Sequence, residues 1–206
     1  MAKAYNPKKR NTGVRDRNRI ILISTEGKNK TETLYFSDFS SKDTRIKFAK
    51  GNQTDPVSIA KNLVKDYRRN GLDKALNDQA FCVIDGDLSK EREKQIQKAD
   101  SIVKDIDGKV IISNPCIEIW FLCHYTESTK QFFSANEVIE ELKKYIPNYE
   151  KNMYGLNAIL DTKKNTAISN AKKLEKHNKE TGKKPHKYDY QPSSEVYKII
   201  EVLFQE

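Results

Sequence analysis

Apolar positions along the chain fall into two periods. RIILIST (19–25), TRIKFAK (44–50), QAFCVIDGD (79–87) and KVIISNP (109–115) are short runs, β-branched or alternating, and read as strands. Between them the period lengthens. Residues 29–40 (NKTETLYFSDFS) set Leu34, Tyr35 and Phe39 at helical core spacing. DPVSIAKNLVKDYRRN (55–70) repeats Ile59, Leu63 and Tyr67 on one face, with Asp55 as cap and Pro56 in the first turn. LSKEREKQIQKADSIVKDI (88–106) turns Ile96, Ala99 and Val103 inward. Strands separated by such helices predict an α/β fold with a mostly parallel sheet of four strands, flanked by helices.

After Pro115 the pattern is helical. PCIEIWFLCHY (115–125), SANEVIEELKKYI (134–146), residues 156–180 and SSEVYKIIEVLFQ (193–205) are the expected helices, with a loop over 179–192. Ser113 or Asn114 would cap a helix begun by Pro115, and Glu195 would sit in the first turn of the last helix, where negative charge suits the dipole. The expected organisation is a basic arm (1–18), an α/β core (19–126) and a helical extension packed on it (127–206).

The strand at 79–87 ends in unusual chemistry. Alternate side chains of an extended segment share a face, so Asp85 and Asp87 can point the same way, with Gly86 turning the chain. Two adjacent carboxylates repel unless a cation or donors compensate, and a hard divalent ion such as Mg2+ does this well. A turn carrying two solvated aspartates is the plainer alternative. In a parallel sheet ligands collect at the carboxyl ends of strands, which makes Glu26, after the first strand, a candidate neighbour of both aspartates. Three carboxylates could hold one or two metal ions against a phosphodiester, with Glu26 as ligand or as general acid or base. Free N–H groups after Ser113 and Asn114 would suit a phosphate. Glu118, the one charge in an apolar helix, either joins the site or pairs with a cation elsewhere.

Charge changes this picture only a little. The excess of 38 Lys and Arg over 29 Asp and Glu is concentrated in two stretches. One holds Lys8, Lys9, Arg10, Arg15, Arg17 and Arg19; the other, over 163–184, holds Lys172, Lys173 and Lys176. Both could neutralise nucleic-acid phosphates, or be a solvated arm and a solvated helix face. The apolar runs IILI (20–23) and IWFLC (119–123) are far too short to span a bilayer, and the basic N-terminus has no apolar stretch of signal-peptide length behind it. A cytoplasmic protein is expected. Cys82, Cys116 and Cys123, odd in number and without a CxxC pair, point to reduced thiols and against zinc.

A glutamate after one strand and a D-x-D after a later one resembles the Toprim domain of topoisomerases, primases and OLD-related nucleases. With ILISTEGKNKTETLYF, FCVIDGD, IISNPCIEIWFLCHY and PSSEVYKIIEVL in that order, the chain resembles the RloB family, including phage-defence abortive-infection proteins of the AbiL type. The resemblance covers nearly all of 17–206, and SNPCIEIWFLCHY is its most specific part. It implies a Toprim-like fold, Mg2+ or Mn2+, and a nuclease cutting RNA or DNA in anti-phage defence beside a separately encoded ATPase of the RloA type. It carries Glu26 over as the Toprim glutamate and Asp85 and Asp87 as metal aspartates. Glu32, Asn114 and Glu118 are family-patterned positions. The loop through Lys28, Asn29 and Lys30 is a residue longer than the family's, which bears on where Glu32 falls. A non-catalytic module held by the ATPase is the alternative. A glycosyltransferase D-x-D would leave Glu26 without a role.

Overall fold

The computed structural model describes residues 17–26 and 31–204. Strands β1 (Arg19–Ser24), β2 (Thr44–Phe48), β3 (Gln79–Asp85), β4 (Lys109–Asn114) and β5 (Ser193–Ser194) form one sheet in the order β2-β1-β3-β4-β5. The first four run parallel, as their spacing predicts, and β5 lies antiparallel to β4. The fifth strand corrects the expected count of four. It is two serines long, too short and too polar to leave a periodic signal.

The central parallel strands β1, β3 and β4 are buried on both faces, which explains their continuous apolar runs, while β2 at the edge alternates and exposes Arg45. Ile20, Leu22, Ala80, Cys82, Ile84, Val110 and Ile112 pack against α2 (Pro56–Arg69) and α3 (Lys90–Val103). Ile21, Ile23, Phe81, Val83 and Ile111 face the other way, into a core shared with α1 (Thr31–Ser37), α4 (Glu118–Cys123), α5 (Ala135–Lys143), α6 (Leu156–Leu160), α7 (Lys164–Glu180) and α8 (Tyr197–Phe204). In α2, Asp55 caps Ser58 N–H at 2.9 Å and Ile59, Leu63 and Tyr67 are buried, as read. In α3, Ile96, Ala99 and Val103 turn inward. In α1 the buried pair is Tyr35 and Phe36, and Leu34 is only half-buried.

Two helix starts differ from expectation. The segment after β4 is wholly buried from Cys116 to His124, but its helix begins at Glu118 rather than Pro115. The Asn114–Pro115 peptide is cis, and the Pro115 carbonyl accepts the Asp87 N–H at 3.1 Å instead of serving a helix. Trp120 anchors α4 by donating its indole N–H to the Tyr35 hydroxyl at 2.7 Å. The last helix begins at Tyr197, not at Ser193, because Ser193 and Ser194 extend the sheet. Glu195 is therefore no solvent-facing first-turn charge. It is buried, accepts the Ile112 N–H at 3.1 Å, and pairs with His186 and Lys198.

The chain runs from β1 outward to β2 and then back across to β3. The carboxyl ends of β1 and β3 thus adjoin where the strand order reverses, the place where open α/β sheets bind ligands. No helix among the described residues is long and apolar enough to cross a membrane. Cys82, Cys116 and Cys123 are free and buried.

Candidate functional site

Asp85 is the last residue of β3, in register with Ser113 of the neighbouring β4. Beyond it the chain stays fastened to β4: Gly86 N–H donates to the Ser113 carbonyl at 2.8 Å and Asp87 N–H to that of Pro115. Gly86 is required by close approach. A Cβ there would lie 2.6 Å from Asn114 Oδ1 and 2.7 Å from its Cγ. Asp87 and Leu88 follow, both at φ +52°, a left-handed pair without glycine that is costly unless the surroundings enforce it. Asn114 does the enforcing. Its Oδ1 accepts the Leu88 N–H at 3.4 Å while its Nδ2 donates to the carbonyls of Tyr188 (3.0 Å) and Tyr190 (3.3 Å). Gly86→Ala is expected to push Asn114 off these partners and to destabilise the protein by about 1–3 kcal/mol. An unchanged midpoint in urea denaturation would contradict that.

Ser113 and Asn114 therefore hold backbone together. The phosphate-binding helix start expected of them is absent, since α4 begins four residues after Asn114 without a side-chain cap. Ser113 Oγ instead shares a 2.8 Å hydrogen bond with Ser194 Oγ.

The carboxylates gathered around Asp85 are not all those the sequence nominates. Glu32, in the first turn of α1, and Glu118, at the start of α4, are 3 % and 1 % exposed. Burial pushes the Asp85 carboxyl well above its usual range, and the charges of Glu32, Glu118 and Asp87 push it further. Burial likewise raises Glu32 to about 7, with Glu118 adding to the rise. Glu118 Oε1 accepts the Tyr149 hydroxyl at 3.0 Å. Glu118 Oε2 and Glu32 Oε2 are buried without a hydrogen-bond partner. Asp87, half-exposed, is raised by burial too.

Lys151 is the cation whose charge opposes the rises at Glu32, Asp85 and Asp87. It lies on an exposed turn clamped to the site on two sides: by Tyr149 on Glu118, and by Asn152 N–H donating to Thr31 Oγ1 at 2.9 Å.

Glu26 follows a different course. Its carboxylate pairs with the guanidinium of Arg92 on α3. Arg92 Nε is also 3.4 Å from Asp87 Oδ2 and donates to the Asp85 carbonyl at 3.1 Å, while its Nη1 donates to the Thr54 carbonyl at 3.0 Å. The structure thus joins Glu26 to Asp87 through an arginine, while the charges of Glu32, Glu118 and Asp87 all act on Asp85. Sequence reasoning missed Arg92, Tyr149 and Lys151. Arg92 reads as one more charge on a solvated helix between Lys90 and Lys94, and only its position seven residues after Asp85, one turn into the next helix, could have singled it out.

Among the described residues no three His, Cys, Asp or Glu side chains are grouped so that they could together hold a metal ion. Mg2+ does not demand such a group, because it keeps several waters and is held by one or two carboxylates with substrate phosphates. The carboxylates around Asp85 offer hard oxygens beside the Cys116 thiol, and two of those oxygens are buried and unsatisfied. They fit such an ion.

The basic stretches are more engaged than their composition suggests. Arg17 pairs with buried Asp78, and Arg19 donates to Thr44 Oγ1 (2.6 Å) and the Leu203 carbonyl (3.2 Å). Lys172 pairs with Glu201, Lys173 with Glu127 and Lys176 with Glu180. Lys8, Lys9, Arg10 and Arg15 lie outside the described residues, as do Gly27 and the Lys28–Lys30 loop.

No curated protein and no solved structure matches the chain. A family model does: the one described as RloB-like protein matches residues 21–203, nearly the whole length, and the chain belongs to the RloB-like family.

Proposed function

We propose that this chain is a divalent-cation-dependent nuclease of Toprim-like fold, acting on RNA or DNA in anti-phage defence as the effector of a partner ATPase. The observation that carries the chemistry is the convergence of Asp85, Glu32 and Glu118 at the carboxyl end of β3, with two carboxylate oxygens buried and unpartnered. Unpaired buried charge is costly, and a site that keeps it gains a strong demand for a cation. Membership in the RloB-like family, whose resemblance implies defence and an ATPase, supports the biological part of the reading.

Asp85, with Glu32 and Glu118, would hold Mg2+ or Mn2+. Such an ion supplies Lewis-acid polarisation of a phosphoryl oxygen and a more acidic bound water. The chain's own residues do the rest. Tyr149 fixes one oxygen of Glu118 and so orients the other. The fastened turn after β3 fixes Asp85 and Asp87 in place. Lys151, exposed at the rim, offers a positive charge to an incoming phosphate. Glu26 and Asp87 both pair with the Arg92 guanidinium.

A second reading is a non-catalytic module that the ATPase binds, and the engagement of Glu26 and Asp87 by Arg92 favours it. Labelled tRNA, single-stranded DNA and duplex DNA, incubated with Mg2+ or Mn2+, separate the two. Wild type and Asp85→Asn would be compared, each with and without any ATPase encoded alongside. Metal-dependent cutting lost in the variant supports the nuclease. No cutting by either, with the ATPase complex intact in both, supports the module.

A further inference from the structure

We propose that Arg92 is a resident cation of this site, occupying the Glu26–Asp87 side, so that the chain takes one divalent ion, on Asp85 with Glu32 and Glu118, and not two. The inference rests on the metal-binding part of the reading above and departs from the carboxylate set that the resemblance carries over.

The geometry of Arg92 is the argument. Its side chain is 13 % exposed, and its guanidinium meets the carboxylates of Glu26 and Asp87 and the backbone carbonyls of Asp85 and Thr54. A guanidinium stays charged and presents its donors in a rigid plane. The two carbonyl bonds hold it in place independently of the carboxylates, and they come from β3's end and from the residues leading into α2. Two-metal phosphoryl sites set their ions about 3.5–4 Å apart, each needing carboxylate oxygen of its own. An ion approaching Glu26 and Asp87 would meet fixed positive charge and would have to break hydrogen bonds to carbonyls that no metal replaces for the arginine.

The other side offers the opposite conditions. Glu32 Oε2 and Glu118 Oε2 are buried without partners, and Tyr149 holds the second oxygen of Glu118 out of the way. Lys151 is the cation nearest in effect, and it stands exposed on the turn at the rim.

Counting Mn2+ on the full chain, by calorimetric titration and by the paramagnetic signal of free Mn2+, tests this directly. The expected result is one ion per wild-type chain. Glu32→Gln and Glu118→Gln should each weaken binding by about 10-fold or more, while Glu26→Gln leaves it within the scatter of the measurement. Arg92→Gln should admit a second ion, and Arg92→Lys, which keeps the charge, should not; circular dichroism checks that each variant is folded. Two ions on wild type, or binding lost in Glu26→Gln and kept in Glu118→Gln, would overturn the inference. No bound ion would overturn it as well. One bound ion without any cleavage would leave it standing and sink the nuclease reading instead, whereas two ions with cleavage would do the reverse.

Discussion

Asp85→Asn is expected to abolish nucleic-acid cleavage and, in the same preparation, to raise the melting temperature of the metal-free protein. The two effects have one cause. Asp85 is buried among the charges of Glu32, Glu118 and Asp87, so its ionised form is disfavoured by the fold, while the proposed metal-dependent nuclease requires that form. The amide keeps shape and most hydrogen-bonding capacity and removes the charge. Losing a central ligand should cost on the order of 10³-fold in rate, as losing a principal electrostatic contact does elsewhere. Each kcal/mol of relieved repulsion should raise the melting temperature by about 2–4 °C in a chain of this size.

The sign of the pH dependence follows. Asp85 and Glu32 both have folded-state pKa values above their unfolded ones, Glu32 rising from 4.5 to about 7. The folded state then binds more protons than the unfolded state, and stability falls as pH rises through that window. In Asp85→Asn the fall should be shallower. Added Mn2+ should stabilise wild type by binding the folded state alone, and should do little for the variant. Thermal melts from pH 4 to 8, with and without metal, decide the matter. A metal-free variant melting below wild type at neutral pH would mean that Asp85 serves the fold rather than a ligand.

The second large effect lies behind the sheet. His186, on the loop between α7 and β5, sits between Asp100 of α3 (Nδ1 to Oδ2, 2.7 Å) and Glu195 (Nε2 to Oε2, 2.8 Å). Both ring nitrogens must donate, so the imidazole is charged. Opposing its own burial, the two carboxylates raise it to about 10, and Glu195, despite burial, is held down to about 2 by His186 and Lys198. This triad clasps α3 to the strand that closes the sheet, since Glu195 also takes the Ile112 N–H.

His186→Asn tolerates the residue's φ of +63° and removes the charge, leaving buried Glu195 short of a partner. Breaking such a pair from one side should cost about 3 kcal/mol or more. His186 contributes fully below 6.5 and its contribution is lost as pH rises toward 10; Glu195 contributes fully above 4.5 and is lost toward 2. The gap in melting temperature between wild type and variant should therefore be widest from pH 4.5 to 6.5 and narrow on either side. A gap that stays constant with pH would show that the imidazole is held there uncharged.

Whatever depended on local periodicity was legible in the amino-acid order. The four parallel strands, α2 with its Asp55 cap, α3 with Ile96, Ala99 and Val103 inward, and the buried run around Trp120 each follow from spacing within one element. So does the prominence of Asp85 at a strand end, where carboxylates on a sheet's ligand-binding edge announce themselves. β5 was not legible, because two serines carry no period and are a strand only by virtue of the β4 edge beside them. The helix after Pro115 was placed too early because a capping pattern says nothing of the Pro115 carbonyl being taken by Asp87, 28 positions earlier in the chain.

Which charges pair with which in the site was decided by tertiary structure alone. Arg92 pairs with Glu26 and Asp87, and the charges of Glu32 and Glu118, from two separate helices, bear on Asp85 together with that of Asp87. Nothing in a single stretch of chain distinguishes Arg92 from the lysines around it, or Tyr149 from any other core aromatic. Periodicity records which side of an element is buried, and that is a local property. Which charge meets which is fixed by distances of a few ångströms between residues far apart in the chain, and those distances exist only once the sheet and its helices have packed.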